Sequence, residues 1–223
     1  MSIGKSDSEV EVSSRNARGD IDTTSVGAYV RQQKEDGVYL SGQVSYSRHK
    51  IESVRQLLLD GLATADYDAN TLSASGEVGK RYGRGSFVVE PNVSLRLANT
   101  RADGLTESGG PGALTVSDSR YNSRRLGIGV RVVPADKTAK FRPHLSLGFE
   151  REFGDSKAEI NNNVTGVSGF NVSGSDLGKN IFRASVGAEA ELGERLSIVG
   201  EIGLARRKNQ DSRSIYGGLK YGF

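Results

Sequence analysis

The chain has 223 residues, 35% hydrophobic and 26% charged, with 29 glycines, no cysteine and a net charge of +3. It contains no run of eighteen apolar residues, so no helix can span a bilayer, and the opening Met1-Ser-Ile-Gly-Lys-Ser-Asp lacks the apolar core of a secretory signal. The missing thiols exclude disulfides and thiolate chemistry, and Lys and Arg interleaved with Asp and Glu read as a solvated surface or lumen instead of a nucleic-acid footprint.

In chain order, period-two patterning marks ten segments, at approximately 2–12, 22–32, 38–48, 71–82, 86–98, 123–133, 141–153, 180–192, 196–206 and 214–223. Tight connections are expected at 33–37, 83–85, 134–140 and 193–195. Long polar connections are expected at 13–21, 49–70, 99–122, 154–179 and 207–213. Within 49–70, residues 51–65 have helical spacing around Leu57-Leu-Leu59, which fits a short cap or a prolongation of the two flanking strands. The glycines of Ser108-Gly-Gly-Pro-Gly-Ala113 read as a flexible loop, since no Lys-Ser/Thr follows to make a phosphate loop.

A one-residue slip in a strand swaps its faces, so each segment assigns its own sides. Phe87, Val89, Pro91, Val93, Leu95 and Leu97 share one face, opposite Glu90, Asn92, Ser94 and Arg96. Leu126, Ile128, Val130 and Val132 alternate with Arg125, Gly127, Gly129 and Arg131. The set Phe141, Pro143, Leu145, Leu147 and Phe149 opposes Arg142, His144, Ser146, Gly148, Glu150 and Glu152. Phe182, Ala184, Val186, Ala188, Ala190 and Leu192 oppose Arg183, Ser185, Gly187, Glu189 and Glu191. The last strand places Ile215, Gly217, Leu219, Tyr221 and Phe223 on one side and Lys220 on the other. Strands two-faced in this way, with aromatics near their ends and a terminal Phe, fit an all-β, antiparallel, up-and-down transmembrane β-barrel. Short turns would then lie on the periplasmic side with both termini, and long loops outside. A soluble β-sandwich shares the alternation but not the loop rhythm or the ending.

The segment Phe141-Arg-Pro-His-Leu-Ser-Leu-Gly-Phe-Glu-Arg-Glu-Phe-Gly154 resembles the aromatic-x-Pro-x-Leu-x-Leu-Gly-aromatic-Glu-x-Glu-Phe strand of the C-terminal translocator barrel of autotransporters, the type V secretion proteins of Gram-negative bacteria. Val89-Glu-Pro91, Ala65-Asp-Tyr-Asp68 ahead of Leu72-Ser-Ala-Ser-Gly-Glu77, and the terminal Gly217-x-Leu219-x-Tyr221-x-Phe223 are similar as well. The family barrel has twelve strands. Aligned from the C-terminus, Ile3 to Val12 resembles the latter part of its third strand, so residues 1–223 are expected to form one barrel domain truncated by two strands. The helix that threads the lumen in the family would be absent with them.

The resemblance implies an outer-membrane translocator that anchors an N-terminal passenger and exports it to the cell surface, with no chemistry of its own. Its partners would be outer-membrane lipid, a passenger domain absent from this chain and the barrel-insertion machinery, which in the family reads an ending such as Gly217, Leu219, Tyr221 and Phe223. A monomer is expected, with no nucleic acid, cofactor or metal. Glu77, Arg81, Glu90, Arg96, Arg125, Arg131, Arg142, Glu150, Glu152, Arg183, Glu189, Glu201 and Lys220 would line the lumen, paired with one another and kept from lipid. The alternative is a free-standing outer-membrane porin or surface adhesin acting through its external loops.

Enzymatic readings find little support. His49, at a loop edge, and His144, in the lumen, are the two histidines, and neither a Gly-x-Ser-x-Gly elbow nor clustered metal-ligand spacing accompanies them. Asp66 and Asp68 form a lone Asp-x-Asp, which is more often a strand entrance than a calcium site.

Overall fold

The computed structural model describes the chain apart from residues 13–15, 58–60, 111, 137, 165–166, 194 and 223. The strands are β1 Ser2–Val12, β2 Ala17–Gln33, β3 Val38–Gln56, β4 Leu62–Lys80, β5 Tyr82–Arg84, β6 Phe87–Ala102, β7 Leu105–Thr106, β8 Leu114–Val116, β9 Ser119–Pro134, β10 Phe141–Glu152, β11 Glu159–Val164, β12 Val167–Ser173, β13 Asn180–Glu191, β14 Leu196–Arg207 and β15 Gln210–Tyr221. Ten of them form one antiparallel meander in the order β1-β2-β3-β4-β6-β9-β10-β13-β14-β15, with β5 beside β6. The sheet curls into a half-barrel. Among the described residues no pairing joins β1 to β15, so each keeps one open edge.

Register carries the two-faced pattern from strand to strand. Leu145, Leu147 and Phe149 stand opposite Val132, Val130 and Ile128 on one side and Val186, Ala184 and Phe182 on the other. The apolar row continues through Ile202, Leu204 and Ile198 to Ile215 and Leu219. These side chains are exposed or half-exposed, Leu147 at 50% and Leu219 at 72%, while three carboxylates, Glu152, Glu90 and Glu150, are buried on the other face. In water that would be an inverted protein. It is the arrangement demanded when the outside solvent is hydrocarbon.

Three of the long connections expected from the sequence are instead mostly strand. β3 runs on to Gln56 and β4 starts at Leu62, paired residue for residue from Val38↔Lys80 to Gln56↔Leu62. Thus the helically spaced stretch 51–65 prolongs the two strands; Leu58 and Leu59 lie outside the described residues. Likewise β1 and β2 pair up to Val12↔Ala17, and β14 and β15 meet in a two-residue turn, Lys208-Asn209, with Asn209 at φ 59°. The physical reason is length. A membrane crossing takes about 9–11 residues of strand, whereas β3 and β4 have 19 each. The surplus carries charge on its outer face and a mixture of small and polar residues, such as Ala63, Ala65, Ala69, His49 and Ser53, on its inner one, which blurs the apolar-polar contrast that marks a strand in sequence. Hydrogen bonds hold the prolonged region: Thr23 Oγ1 meets His49 Nδ1 at 2.9 Å, His49 Nε2 meets Thr71 Oγ1 at 3.0 Å, and Thr71 Oγ1 meets Thr100 Oγ1 at 3.0 Å. His49 therefore sits inside a strand, not at a loop edge.

Connections 99–122 and 154–179 are long, as expected, but they are not plain loops. They contribute β7, β8, β11 and β12 to a second sheet of order β12-β11-β8-β7, attached to β4 through the Thr64↔Ser108 bridge. Arg55, at the top of β3, pins this sheet by pairing with Glu107, whose Oε2 accepts from Arg55 and also from the Leu114 N–H at 2.8 Å. Burial opposes ionisation of Glu107, but the Arg55 guanidinium and the Leu114 N–H outweigh it and hold the carboxyl below its ordinary pKa.

Candidate functional site

Of the thirteen charged residues expected to face the interior, twelve lie on strands and share one side of the large sheet, and most are paired there; the other, Arg81, directly follows β4. Glu150 accepts from Arg96 Nε at 3.1 Å and Arg183 Nε at 2.9 Å. Glu152, fully buried, accepts from Ser123 Oγ and the Arg124 N–H at 2.6 Å each, from Gly154 N at 2.8 Å and from Arg125 Nε at 2.9 Å. Arg142 bridges Glu189 and Glu191, and Lys220 Nζ reaches Glu189 at 2.6 Å, which ties β10, β13 and β15 together. Arg81 meets Glu90 at 2.9 Å, Arg131 donates to Ser146 Oγ at 3.3 Å, and His144 Nε2 meets Glu201 at 2.8 Å. The polar cavity between these rows, about 430 Å³, is lined among others by Glu77, Arg96, Glu150, Arg183, Ser185 and Ser214.

The mechanism of this packing is simple. A carboxylate taken from water is costly unless charged donors replace the lost hydration, and guanidinium groups on neighbouring strands do so in two directions at once. Backbone room comes from glycine. At Gly187 a Cβ would lie 2.7 Å from the His144 ring and 2.5 Å from the Gly200 carbonyl oxygen, so only glycine lets His144 turn toward Glu201.

Tyr39, which the sequence reading passed over, belongs to the same surface. It is 3% exposed, donates from its hydroxyl to Glu77 at 2.9 Å, and lays its ring across Gly79 on the paired strand, where a Cβ would come within 2.6 Å. The signal was available: Tyr39 alternates with the lipid-facing Val44 and Leu40 and so had to point inward.

Of the terminal set, Gly217, Leu219 and Tyr221 lie on the apolar face of β15, opposite Gly200, Ile198 and Leu196. Phe223 lies outside the described residues. Asp66 and Asp68 point outward on β4, and Asp68 pairs with Arg48 at 2.6 Å. Among the described residues no three of His, Cys, Asp and Glu gather as metal ligands.

The outer face also carries charge, and it is unevenly distributed. On the C-terminal half, the residue two beyond the last apolar one is repeatedly arginine: Arg124 after Leu126, Arg151 after Phe149 and Arg206 after Leu204, joined by Arg213 opposite Leu204. The corresponding positions on β1 to β4 are mixed: Asp7, Asp20, Asp22, Glu52, Asp66 and Asp68 stand beside Arg18, Arg48 and Lys50.

An antiparallel meander with an apolar outside and a charge-paired inside is the wall of an outer-membrane β-barrel. Comparison with known proteins narrows this further. Residues 1–203 match the family described as Autotransporter beta-domain, and the chain belongs to that family. The translocator domain of the autotransporter NalP from Neisseria meningitidis superposes with a TM-score of 0.82 at 20% identity, over 99% of this chain and 73% of that one. The β-domain of the Bordetella autotransporter Brka gives 0.75 at 18% identity, over 99% and 81%. A relative from Escherichia coli K12 named "Probable autotransporter YpjA" is 26% identical over 149 residues, 66% of this chain. The chain spans only 10% to 16% of the length of the curated relatives it matches. It is an outer-membrane translocator-barrel domain, of a transport fold and not of an enzyme family.

Proposed function

We propose that the chain anchors an N-terminal passenger in the outer membrane and exports it to the cell surface, its charged face lining the wet path. The observation that carries this reading is the interior itself. Arg96, Glu150, Arg183, Arg142, Glu189 and Lys220 form paired rows across β6, β10, β13 and β15, which offer an extended polypeptide water and hydrogen-bonding groups while committing no buried charge to lipid. The Gly217, Leu219, Tyr221 and Phe223 ending serves as the handle for the insertion machinery, because an open β15 edge is suited to strand addition. The barrel works as a monomer, with long connections 99–122 and 154–179 outside.

The test is a chimera with a signal peptide and an epitope-tagged, unstructured segment ahead of residue 1. Expected is an epitope that protease removes from intact cells while the barrel stays in the membrane fraction. A membrane-inserted barrel whose epitope remains protected would contradict export and leave the porin or adhesin reading.

A further inference from the structure

We infer that the outer face of β10, β13 and β14 holds a phosphorylated membrane lipid, with acyl chain in a groove and phosphate on the basic rim above it. The groove exists because one position in an otherwise bulky row is small. Ala184 stands between Leu147 and Leu204 across the two neighbouring strands, so the row dips at its centre. Its upper end is flanked by the Phe149 and Phe182 rings, whose centroids are 5.1 Å apart at 56°. Ile128, Val130, Leu147, Leu204 and Arg206 complete the lining.

Directly above lies a second, predominantly basic cleft, lined by Lys179, Arg206, Arg207, Lys208 and Asn209 together with Asp211, and it shares Phe182 and Arg206 with the groove. Phe182 and Arg206 are cross-strand partners, so the junction is fixed by register. The acids nearby do not close it. Arg206 touches Asp211 at 3.5 Å, but both side chains are largely exposed, at 82% and 69%. Lys208 engages Asp176 at 2.9 Å while still 62% exposed, which leaves its other hydrogens available. Lys179 makes no side-chain pair among the described residues.

Two features favour a phosphorylated lipid over a neutral one or a free anion. Basic side chains placed one step beyond the apolar band sit at headgroup depth, where each attracts anionic lipid. An apolar groove continuous with that cleft adds acyl-chain burial, which a free phosphate cannot use. Outer charge elsewhere supports the location, since Arg18 and Arg48 on the β1 to β4 side are engaged by Glu9, Asp20 and Asp68 and stand beside further carboxylates, which disfavours the same headgroup there.

The experiment uses the full chain in micelles doped with dioleoyl phosphatidic acid or dioleoyl phosphatidylcholine, with retained lipid counted by native mass spectrometry. Expected is retention of phosphatidic acid about fivefold above phosphatidylcholine, lowered about fivefold by R206Q and separately by A184L, with A184V as a smaller filler should A184L alter the circular dichroism. K5Q, on the far side of the sheet, is expected to leave retention unchanged. Equal retention of the two lipids overturns the proposal. So does a loss in R206Q that neither A184V nor A184L reproduces, which would mean diffuse surface charge, and so does full displacement by inorganic phosphate, which would mean a bare anion site.

Discussion

Glu152 shows what a single residue does in this fold. Three donors from β9 and the Gly154 N–H just past β10 converge on its two oxygens, so removing the carboxylate strands Arg125 and two backbone N–H groups together. Glu152→Ala is expected to destabilise by about 3–5 kcal/mol, the range for breaking a buried ion pair, measured as a lowered temperature of the heat-modifiable gel shift. Lys220→Ala, whose side chain is 59% exposed, is expected to cost under about 1 kcal/mol. Equal effects would mean that the interior charges are not stabilised as described. A second residue sets a pH response. Asp176, in connection 154–179, is held down to a pKa of about 2, chiefly by the Lys208 ammonium and then by the Gly178 N–H. A depressed carboxylate contributes its stability above its unfolded pKa of roughly 4 and loses it as pH falls through the folded value. Pepsin should therefore spare this connection near pH 4 and cut it as pH approaches 2, and Asp176→Asn should be cut at both. At this scale the sequence was largely legible, because parity alone placed Glu77, Glu150 and Lys220 on one face. Which arginine meets which carboxylate was not, since that depends on register between strands far apart in the chain.

Among the elements, the β3–β4 hairpin departs most from the sequence expectation. Its upper half mixes His49, Ser53 and Thr71 with small residues such as Ala65 and Ala69 inside and carries charges such as Arg48, Lys50 and Asp68 outside, so no run of large apolar residues marks either face. Pairing persists because the side chains bond sideways: Thr71 Oγ1 contacts both His49 and Thr100. Thr71→Val keeps the branched shape and loses both contacts, at about 0.5–1.5 kcal/mol each. Faster amide exchange in residues 48–56 and 62–70 is the expected readout, with Thr71→Ser close to wild type. Unchanged exchange in the valine variant would mean that the hydroxyl ladder is incidental. The second sheet was equally hidden. β7 and β8 are two and three residues long, too short for periodicity to register, and β8 finds its second partner, β11, in a different connection.

For the whole molecule, the class was written in the chain: alternating strands, an aromatic ending and the Phe141–Gly154 motif led to the family that residues 1–203 match. Closure was not, because it depends on what meets the two edges. An unpaired strand edge in hydrocarbon costs several kcal/mol per backbone group, so open β1 and β15 edges would be strongly disfavoured in lipid. The account's central claim is that one face of this sheet meets lipid and the other meets water. The chain has no cysteine, which allows single thiols to be placed at Ser185 and Ser214 on the charged face and at Leu147 and Ile202 on the apolar one. In native membranes, a small, charged, membrane-impermeant thiol reagent should modify the two serine positions and leave the other two unmodified until an apolar reagent is supplied. Equal modification of all four, or modification of the Leu147 and Ile202 positions alone, would contradict the account.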